Sequence, residues 1–288
     1  MDGRDDYARK KRSLSFELER LLGRKLSALQ LRVYYEILPA VTGLDIESGR
    51  LVFSVRNLTA IGQARKVIDA FVSSEGSAIG RWIGAKMGAL LRLNRLYYKT
   101  FIDEPLEAVT EKVTTNTLLR LGYNATDDIL IQGGYLANIF GNTPIGSQVA
   151  SAMNRSLAGR MGLQEFRQNF KALFVNPSGN GLIESHFKRA TFDIFQQTDR
   201  SISKEYADEL GLNYARYSGT IKDTTRPFCK ARLGKVFTRE EIQSWKNLNF
   251  QGKPKNYIPE IDLGGYNCRH SLDWISDELA QRFIKEDQ

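Results

Sequence analysis

The stretch Leu14–Leu29, LSFELERLLGRKLSAL, decides the fold class of the N-terminal part of the chain. Its leucines recur at intervals of three or four residues, which places them along one side of an α-helix. Most of the residues between them are charged or polar. The stretch therefore predicts a long amphipathic helix that runs towards Pro39 and buries its leucine side in a core.

The same helical periodicity recurs along most of the chain as far as Gly211. A short hairpin interrupts it, because Ser48-Gly49 stands next to a short apolar run between Leu44 and Val55. Further helices are predicted over residues 59–101, 104–121, 147–160, 166–174 and 182–210, the last as one long helix.

Four glycines repeat at every fourth position within the second of these helices. Small residues at that spacing form a ridge along which another helix approaches closely. Charged residues interrupt the ridge, so we predict a packing or hinge helix; a membrane-active segment and a flexible loop are the alternatives. The glycines are Gly76, Gly80, Gly84 and Gly88.

The character of the sequence changes at Leu212. Residues 213–217 alternate as a strand does, and residues 220–274 are rich in short apolar runs, glycine and proline. Two stretches there keep a helical pattern, one opened by a capping box of Thr238 and Glu241 and the other over residues 272–284. The fold class predicted is mainly α, with a small and irregular C-terminal α+β module.

This change of character divides the chain into three segments. Residues 1–140 form an N-terminal helical body, residues 141–211 a helical lead-in, and residues 212–288 the C-terminal module. The strongest linker pattern, Asn176–Gly181, lies within the lead-in.

Basic residues exceed acidic ones by 41 to 33, a net charge of +8. Residues 50–99 hold nine Lys or Arg against two acidic residues, so this segment alone carries +7. Such a concentration favours a surface that faces DNA or RNA, with the pair Tyr97-Tyr98 as stacking groups; a solvated helix face is the alternative. The candidate nucleic-acid-binding residues are Arg81, Lys86, Arg92, Arg95 and Lys99.

Neither a secretory signal nor a membrane span is predicted. The first twenty residues are charged where a signal would need an apolar core, so we expect synthesis and retention in a cytoplasm. The longest uncharged run, residues 129–154, contains Gln132, Asn138 and Pro144, and polar groups at that density argue against insertion.

The chain has two cysteines and two histidines, too few for a disulfide scaffold or a multi-histidine centre. Cys268 and His270 point the same way if the backbone is extended, and Cys229 can return to them through the intervening loop. These three residues form a candidate zinc site. Candidates for a fourth ligand are Asp223, Asp262 and His186.

The spacing of these residues lacks a Cys-x-x-Cys pair, so the chemistry leaves three interpretations open. One is a structural zinc site, one is a pair of buried structural thiols, and one is a disulfide between Cys229 and Cys268. No hydrolase, nucleotide-binding or metalloprotease motif occurs in the sequence. The alternative function is a metal-dependent nuclease or toxin-like effector that uses the same cluster with Asp223 and Arg226.

Four short stretches of the module occur in a characteristic order: YSGTIKDTTRPFC at 217–229, GKVF at 234–237, Glu241-Ile242, and GYNCRH at 265–270. Together they resemble the C-terminal signature of the phage Mu F-like family, the minor head or head morphogenesis proteins of tailed bacteriophages. That signature closes in Cys-Arg-Cys or Cys-Arg-His. An alternation of Cys and His at one position is what a metal ligand would tolerate, which favours zinc as a cofactor.

The resemblance implies a non-enzymatic component of the virion head. Its expected partners are portal and capsid proteins during head assembly, together with packaged double-stranded DNA. Within the motif, Pro227 forces Arg226 into an extended conformation, and a structural role is expected for the arginine and phenylalanine side chains. These structural motif residues are Thr225, Arg226, Pro227, Phe228 and Arg269. We expect Arg226 and Arg269 to pair with Asp223, Asp262 or loop carbonyls.

Overall fold

The computed structural model describes residues 3–141, 143–175, 181–191 and 194–286. The chain folds into two compact units, each assembled from segments that are distant in sequence. One unit combines residues 1–19, 86–119 and 193–288, and the other combines residues 20–85 and 120–192. We call the first the sheet unit, because it contains the largest β-sheet, and the second the helical unit.

The described chain is mainly helical, as the sequence predicts. The larger helices are α1 (Gly3–Thr42), α2 (Val55–Tyr98), α3 (Glu107–Leu121), α4 (Tyr135–Gly141), α5 (Ile145–Ala158), α6 (Leu163–Phe174), α7 (Leu182–Thr191) and α8 (Ile194–Glu209). None of the described helices combines the length and the apolar character that crossing a bilayer needs.

The small C-terminal α+β module is also present. Its strands are β5 (Tyr214–Ser218), β6 (Val236–Thr238) and β7 (Ser271–Ile275), and its helices are α9 (Pro227–Lys230), α10 (Arg239–Ser244), a 3₁₀ turn (Trp245–Asn247), α11 (Pro259–Asp262) and α12 (Asp277–Glu286). The remaining strands form two short hairpins, β1 (Ile46–Glu47) with β2 (Arg50–Leu51), and β3 (Tyr123–Asn124) with β4 (Ile129–Leu130).

In the helical unit, the predicted hairpin is confirmed. Ile46 pairs with Leu51 and Glu47 with Arg50, so the loop is two residues long. Ser48 and Gly49 both have positive φ values, 50° and 76°. Positive φ at both central residues is the geometry that matches the twist of an antiparallel pair.

The glycine ridge of α2 is a packing surface, as predicted, at three of its four positions. A Cβ at Gly76 would lie 2.7 Å from the carbonyl oxygen of Phe140, and one at Gly80 would lie 2.8 Å from Leu130. At Gly84 the aromatic ring of Tyr123 occupies the space where a side chain would go. At Gly88, in contrast, no atom of the described residues comes within 4 Å of an added Cβ.

In the sheet unit, β5 is the central strand of a three-stranded antiparallel sheet, with β6 on one side and β7 on the other. All five residues of β7 are buried. The helix predicted over 272–284 is therefore wrong at its start: residues 271–275 form this strand, and α12 begins at Asp277. Polar Ser271 and Asp273 alternate with apolar Leu272 and Trp274, but the strand is only five residues long and its pattern runs directly into that of α12.

Two further comparisons with the sequence concern the helical lead-in. Within the long helix predicted over 182–210, the described residues are helical in α7 and α8. Residues 192 and 193 between them, and the predicted linker at 176–180, lie outside the described residues.

The capping box before α10 is confirmed, since Thr238 Oγ1 accepts from the amide of Glu241 and the Glu241 carboxylate accepts from the amide of Thr238.

Candidate metal centre

The structure brings Cys229, Cys268 and His270 together in the interior of the sheet unit. The ligand atoms of the three side chains lie within 4.8 Å of one another. The two sulfur atoms are 3.9 Å apart, and Cys268 Sγ is 3.6 Å from Nδ1 of His270. Each residue is at most 4% exposed. The three candidate ligands predicted from sequence therefore form one buried cluster.

Cys229 reaches the cluster through a short helix that Pro227 begins. Proline suits the first position of a helix because it has no amide hydrogen to leave unbonded. Arg226 before it is extended, with φ −64° and ψ 149°, as the sequence predicts. Phe228 is buried and contacts the rings of Trp245 and Phe250, so it anchors the helix on the small core of the module.

Cys268 and His270 come from the loop that leads into β7. This loop approaches the thiols through Gly264, where a Cβ would overlap Cys229 Sγ and lie 3.3 Å from Cys268 Sγ. Gly265 then takes a φ of 81°, a conformation that glycine adopts without strain. The closeness of backbone to sulfur at Gly264 leaves no room for any larger residue.

Arg200 of α8 holds the same loop in place from the other side. Its buried guanidinium donates to the carbonyl oxygens of Cys268 at 2.5 Å, of His270 at 2.8 and 3.0 Å, and of Ile261 at 2.9 Å. Arg200 is not among the candidate residues predicted from the sequence. The available signal was a charged side chain on the buried face of a predicted helix, next to Gln196 and Ser203, which are also buried.

Electrostatics at the cluster favour one ionised thiol. The pKa of Cys268 is well below its usual range because Cys229 donates a hydrogen bond to it, with His270 and the charge of Arg200 acting in the same direction. The pKa of Cys229 is raised, because its thiol is the hydrogen-bond donor to Cys268 and because it is buried. Tyr217, whose hydroxyl lies 3.9 Å from Cys268 Sγ, also has a raised pKa, through burial. Cys268 is thus prepared to act as a thiolate.

The candidate fourth ligands do not join the cluster. Asp223 is exposed and is not part of the group. Asp262 accepts a hydrogen bond from the amide of Ile258 at 2.7 Å, and burial raises its pKa. His186 belongs to the helical unit, where its ring packs edge-on against Phe187. Among the described residues, the cluster therefore offers three protein ligands.

The motif arginines make structural contacts. Arg226 donates to the carbonyl oxygens of Gly264 at 3.2 Å and Tyr266 at 2.6 Å, as expected for a loop-carbonyl partner. Arg269 pairs with Glu19 of α1 rather than with Asp223 or Asp262. Thr225 Oγ1 accepts from the amide of Lys222 at 2.8 Å and closes the turn before Arg226.

The candidate nucleic-acid-binding residues fall on both units. Arg81 belongs to the helical unit and is half-buried; Lys86, Arg92 and Lys99 belong to the sheet unit and are exposed. Arg95 is paired with Glu107 at 2.9 Å.

The predicted stacking role of Tyr97-Tyr98 is wrong. Both rings are buried, and their hydroxyls donate to the carbonyl oxygens of Trp274 and Ser203 at 2.9 Å. A helix of this length has two sides, and the tyrosines lie on the one that packs into the core.

Cys229 and Cys268 are free thiols in this structure, and their sulfur atoms are well beyond the roughly 2.05 Å of a disulfide bond. No family model, no curated protein and no solved structure matches this chain.

Proposed function

We propose that this chain is a structural component of a tailed-phage head, of the minor head type that its C-terminal motif resembles, and that zinc stabilises its module. The observation that carries the proposal is the buried cluster of Cys229, Cys268 and His270. The motif stretches supply all three side chains, and the arginine between two of them contacts the protein itself. The motif residues therefore serve the fold of the module.

The residues of the cluster fit zinc. Two thiols and an imidazole are the donors that zinc takes in structural sites, and thiolates select it over magnesium or calcium. Cys268 has a pKa that favours the thiolate, which is the form that binds metal. Two thiolates would neutralise the charge of the ion, and His270 would complete a three-ligand set. Bound there, zinc would link α9 to the loop before β7.

Burial argues for a structural role and against a nuclease. A structural zinc site has four protein ligands, whereas a catalytic one has three and a fourth position open to substrate. This cluster has three described ligands, but its burial would close the fourth position to a substrate. Cys229 and Cys268 are each 2% exposed, and His270 is 4% exposed. A nucleic-acid substrate could not reach an ion among these side chains without the module opening. The exposed Asp223, which the nuclease hypothesis needs, is not part of the cluster.

The proposed partners are portal or capsid proteins, with packaged DNA as a further contact. The chain carries +8, with exposed cations at Lys86 and Arg92 in the C-terminal half of α2 and at Lys99 directly after its end. The amide of Lys99 donates to the carbonyl oxygen of Arg95 and continues the helical turn, so Lys99 lies two turns from Arg92 on the same side. Contacts of this kind neutralise phosphates without reading sequence.

The test is the composition of the particle. Heads and procapsids of the phage that encodes the chain should contain it at low copy number, and it should co-purify with the portal after mild disruption. Heads assembled with Cys268→Ser should lose the chain or its portal contact, whereas His186→Ala heads should retain both. Absence of the chain from both heads and procapsids would contradict the proposal.

A further inference from the structure

A cleft of about 290 Å³ lies in the sheet unit and is lined by three arginines. Arg9 and Arg12 come from α1, Arg216 comes from β5, and the backbone at Gly219 contributes to the wall. Asp273 is the one carboxylate among the described residues that line it. Three guanidinium groups against one carboxylate give the lining a net charge of +2.

Both α1 arginines have N–H donors that no hydrogen bond to the described residues uses. Arg12 uses only Nη1, which donates to Asp273 at 3.1 Å and to Ser271 at 3.3 Å; its Nε and Nη2 have no partner among the described residues. Arg9 uses only Nη2, which pairs with Asp6 at 2.9 Å. The two residues are three positions apart on one helix, so their side chains lie on the same face.

Arg216 is held by the sheet and not by α1. It lies on the central strand β5, between Val236 of β6 and Asp273 of β7. Its guanidinium stacks over the ring of Phe283 at 4.6 Å, and Nε donates to the carbonyl oxygen of Gly234 at 3.3 Å. A guanidinium positioned this way is pre-organised, because little side-chain freedom is left to lose on binding.

We propose that this cleft binds a phosphate group. Arginines that come from two elements of the fold suit a tetrahedral anion with several acceptor oxygens, whereas a planar carboxylate is satisfied by a single bidentate arginine. The phosphate comes either from a nucleic-acid backbone or from a small phosphorylated ligand. The cleft requires neither the metal nor the phage-head function, and none of its residues belongs to the sequence-predicted DNA-binding set.

The first experiment titrates inorganic phosphate into the full-length chain and follows the backbone amides by NMR. We expect saturable shifts at Ser218, Gly219 and Gly234, which line the cleft. Arg9→Gln removes an exposed cation and should weaken phosphate binding about tenfold, the usual effect of losing a charge-assisted hydrogen bond. The matched control is Lys10→Gln, which removes a neighbouring charge that also pairs with Asp6 but does not line the cleft; it should change the affinity less than twofold.

A second variant tests the arginine that the sheet contributes to the cleft. Arg216→Gln should show the same tenfold loss, with a melting temperature measured alongside to establish that the unit is folded. A short DNA duplex that competes with phosphate for the same amides would identify a nucleic-acid backbone as the source. Phosphate binding without such competition would identify a small phosphorylated ligand. Absence of saturable shifts with both probes, or equal losses in Arg9→Gln and Lys10→Gln, would overturn the proposal.

Discussion

The guanidinium of Arg200 is buried against the backbone of His270, whose carbonyl oxygen accepts from both Nε and Nη2, at 3.0 and 2.8 Å. A helix of the sheet unit thereby fixes the loop that presents two of the three candidate metal ligands. The same arginine places a positive charge near Cys268 and helps to lower the pKa of its thiol. Arg200 thus both holds the loop that carries Cys268 and His270 and favours the thiolate form of Cys268.

Replacing Arg200 should therefore destabilise the module. Arg200→Ala leaves the carbonyls of Cys268, His270 and Ile261 buried without their donors, and we expect a loss of about 3 kcal/mol or more in the free energy of unfolding. Urea denaturation followed by tryptophan fluorescence measures it. Arg282→Ala, at an exposed position of α12, is the control and should change stability by less than about 0.5 kcal/mol. Equal, small effects in both variants would contradict the support role.

A methyl group at Gly264 should disturb the cluster directly. The added Cβ would overlap Cys229 Sγ, so either the loop or the short helix α9 must move. We expect Gly264→Ala to bind zinc at least tenfold more weakly and to unfold more easily by about 1–3 kcal/mol. Competition with a chromophoric chelator measures the affinity. Gly62→Ala should leave zinc binding unchanged, because no atom in the described part of the chain lies within 4 Å of the added group.

Two glycines of α2, one helical turn apart, should respond in opposite directions to alanine. Gly84→Ala collides with the ring of Tyr123 and should destabilise the chain by about 1–3 kcal/mol. Gly88→Ala meets no atom of the described residues within 4 Å and should stabilise the chain by about 0.5–1 kcal/mol, because alanine loses less backbone entropy in a helix. Thermal unfolding of both variants tests the packing role of the ridge; the same sign of change in both would refute it.

Tyr123 should give the helical unit a recognisable dependence on alkaline pH. Burial, with a 2.7 Å hydrogen bond to Asp128, raises its pKa from 10 to about 12. Because the folded state holds this proton more tightly, the contribution to stability is complete below pH 10 and is lost as the pH rises towards 12. Tyr123→Phe cannot lose a proton there, so its unfolding free energy should fall less over this interval. If the free energy of unfolding falls by the same amount with pH in the wild-type protein and in Tyr123→Phe, Tyr123 does not contribute to the pH dependence.

Features with local causes were predictable from the sequence. Ser48-Gly49 predicted the first hairpin because a two-residue loop needs positive φ, and Thr238 with Glu241 predicted the start of α10 because the two groups satisfy each other's amides. The three cluster residues were also predicted, since the sequence has only one other thiol or imidazole, that of His186. In each case residues close in sequence, or the scarcity of a residue type, were sufficient.

Features with long-range causes were not predictable. The two units are discontinuous in sequence, whereas the three predicted segments follow the order of the chain. The pairing of Arg200 with carbonyls about seventy positions away left no periodic signal. Burial of Tyr97 depends on which side of α2 meets the rest of its unit, and composition alone assigned that side to a nucleic acid. Contacts between distant segments decide such features.

The most direct test of the account is the metal content of the full-length chain, purified without chelator and analysed by mass spectrometry of its elements. We predict one zinc ion per chain. The ion should be absent from Cys268→Ser and present in His186→Ala, which changes the one other histidine of the sequence. Removing it with a chelator should lower the melting temperature of the wild-type chain. Substoichiometric zinc in the wild-type protein, with a melting temperature that the chelator does not change, would contradict the claim that a metal holds the module together.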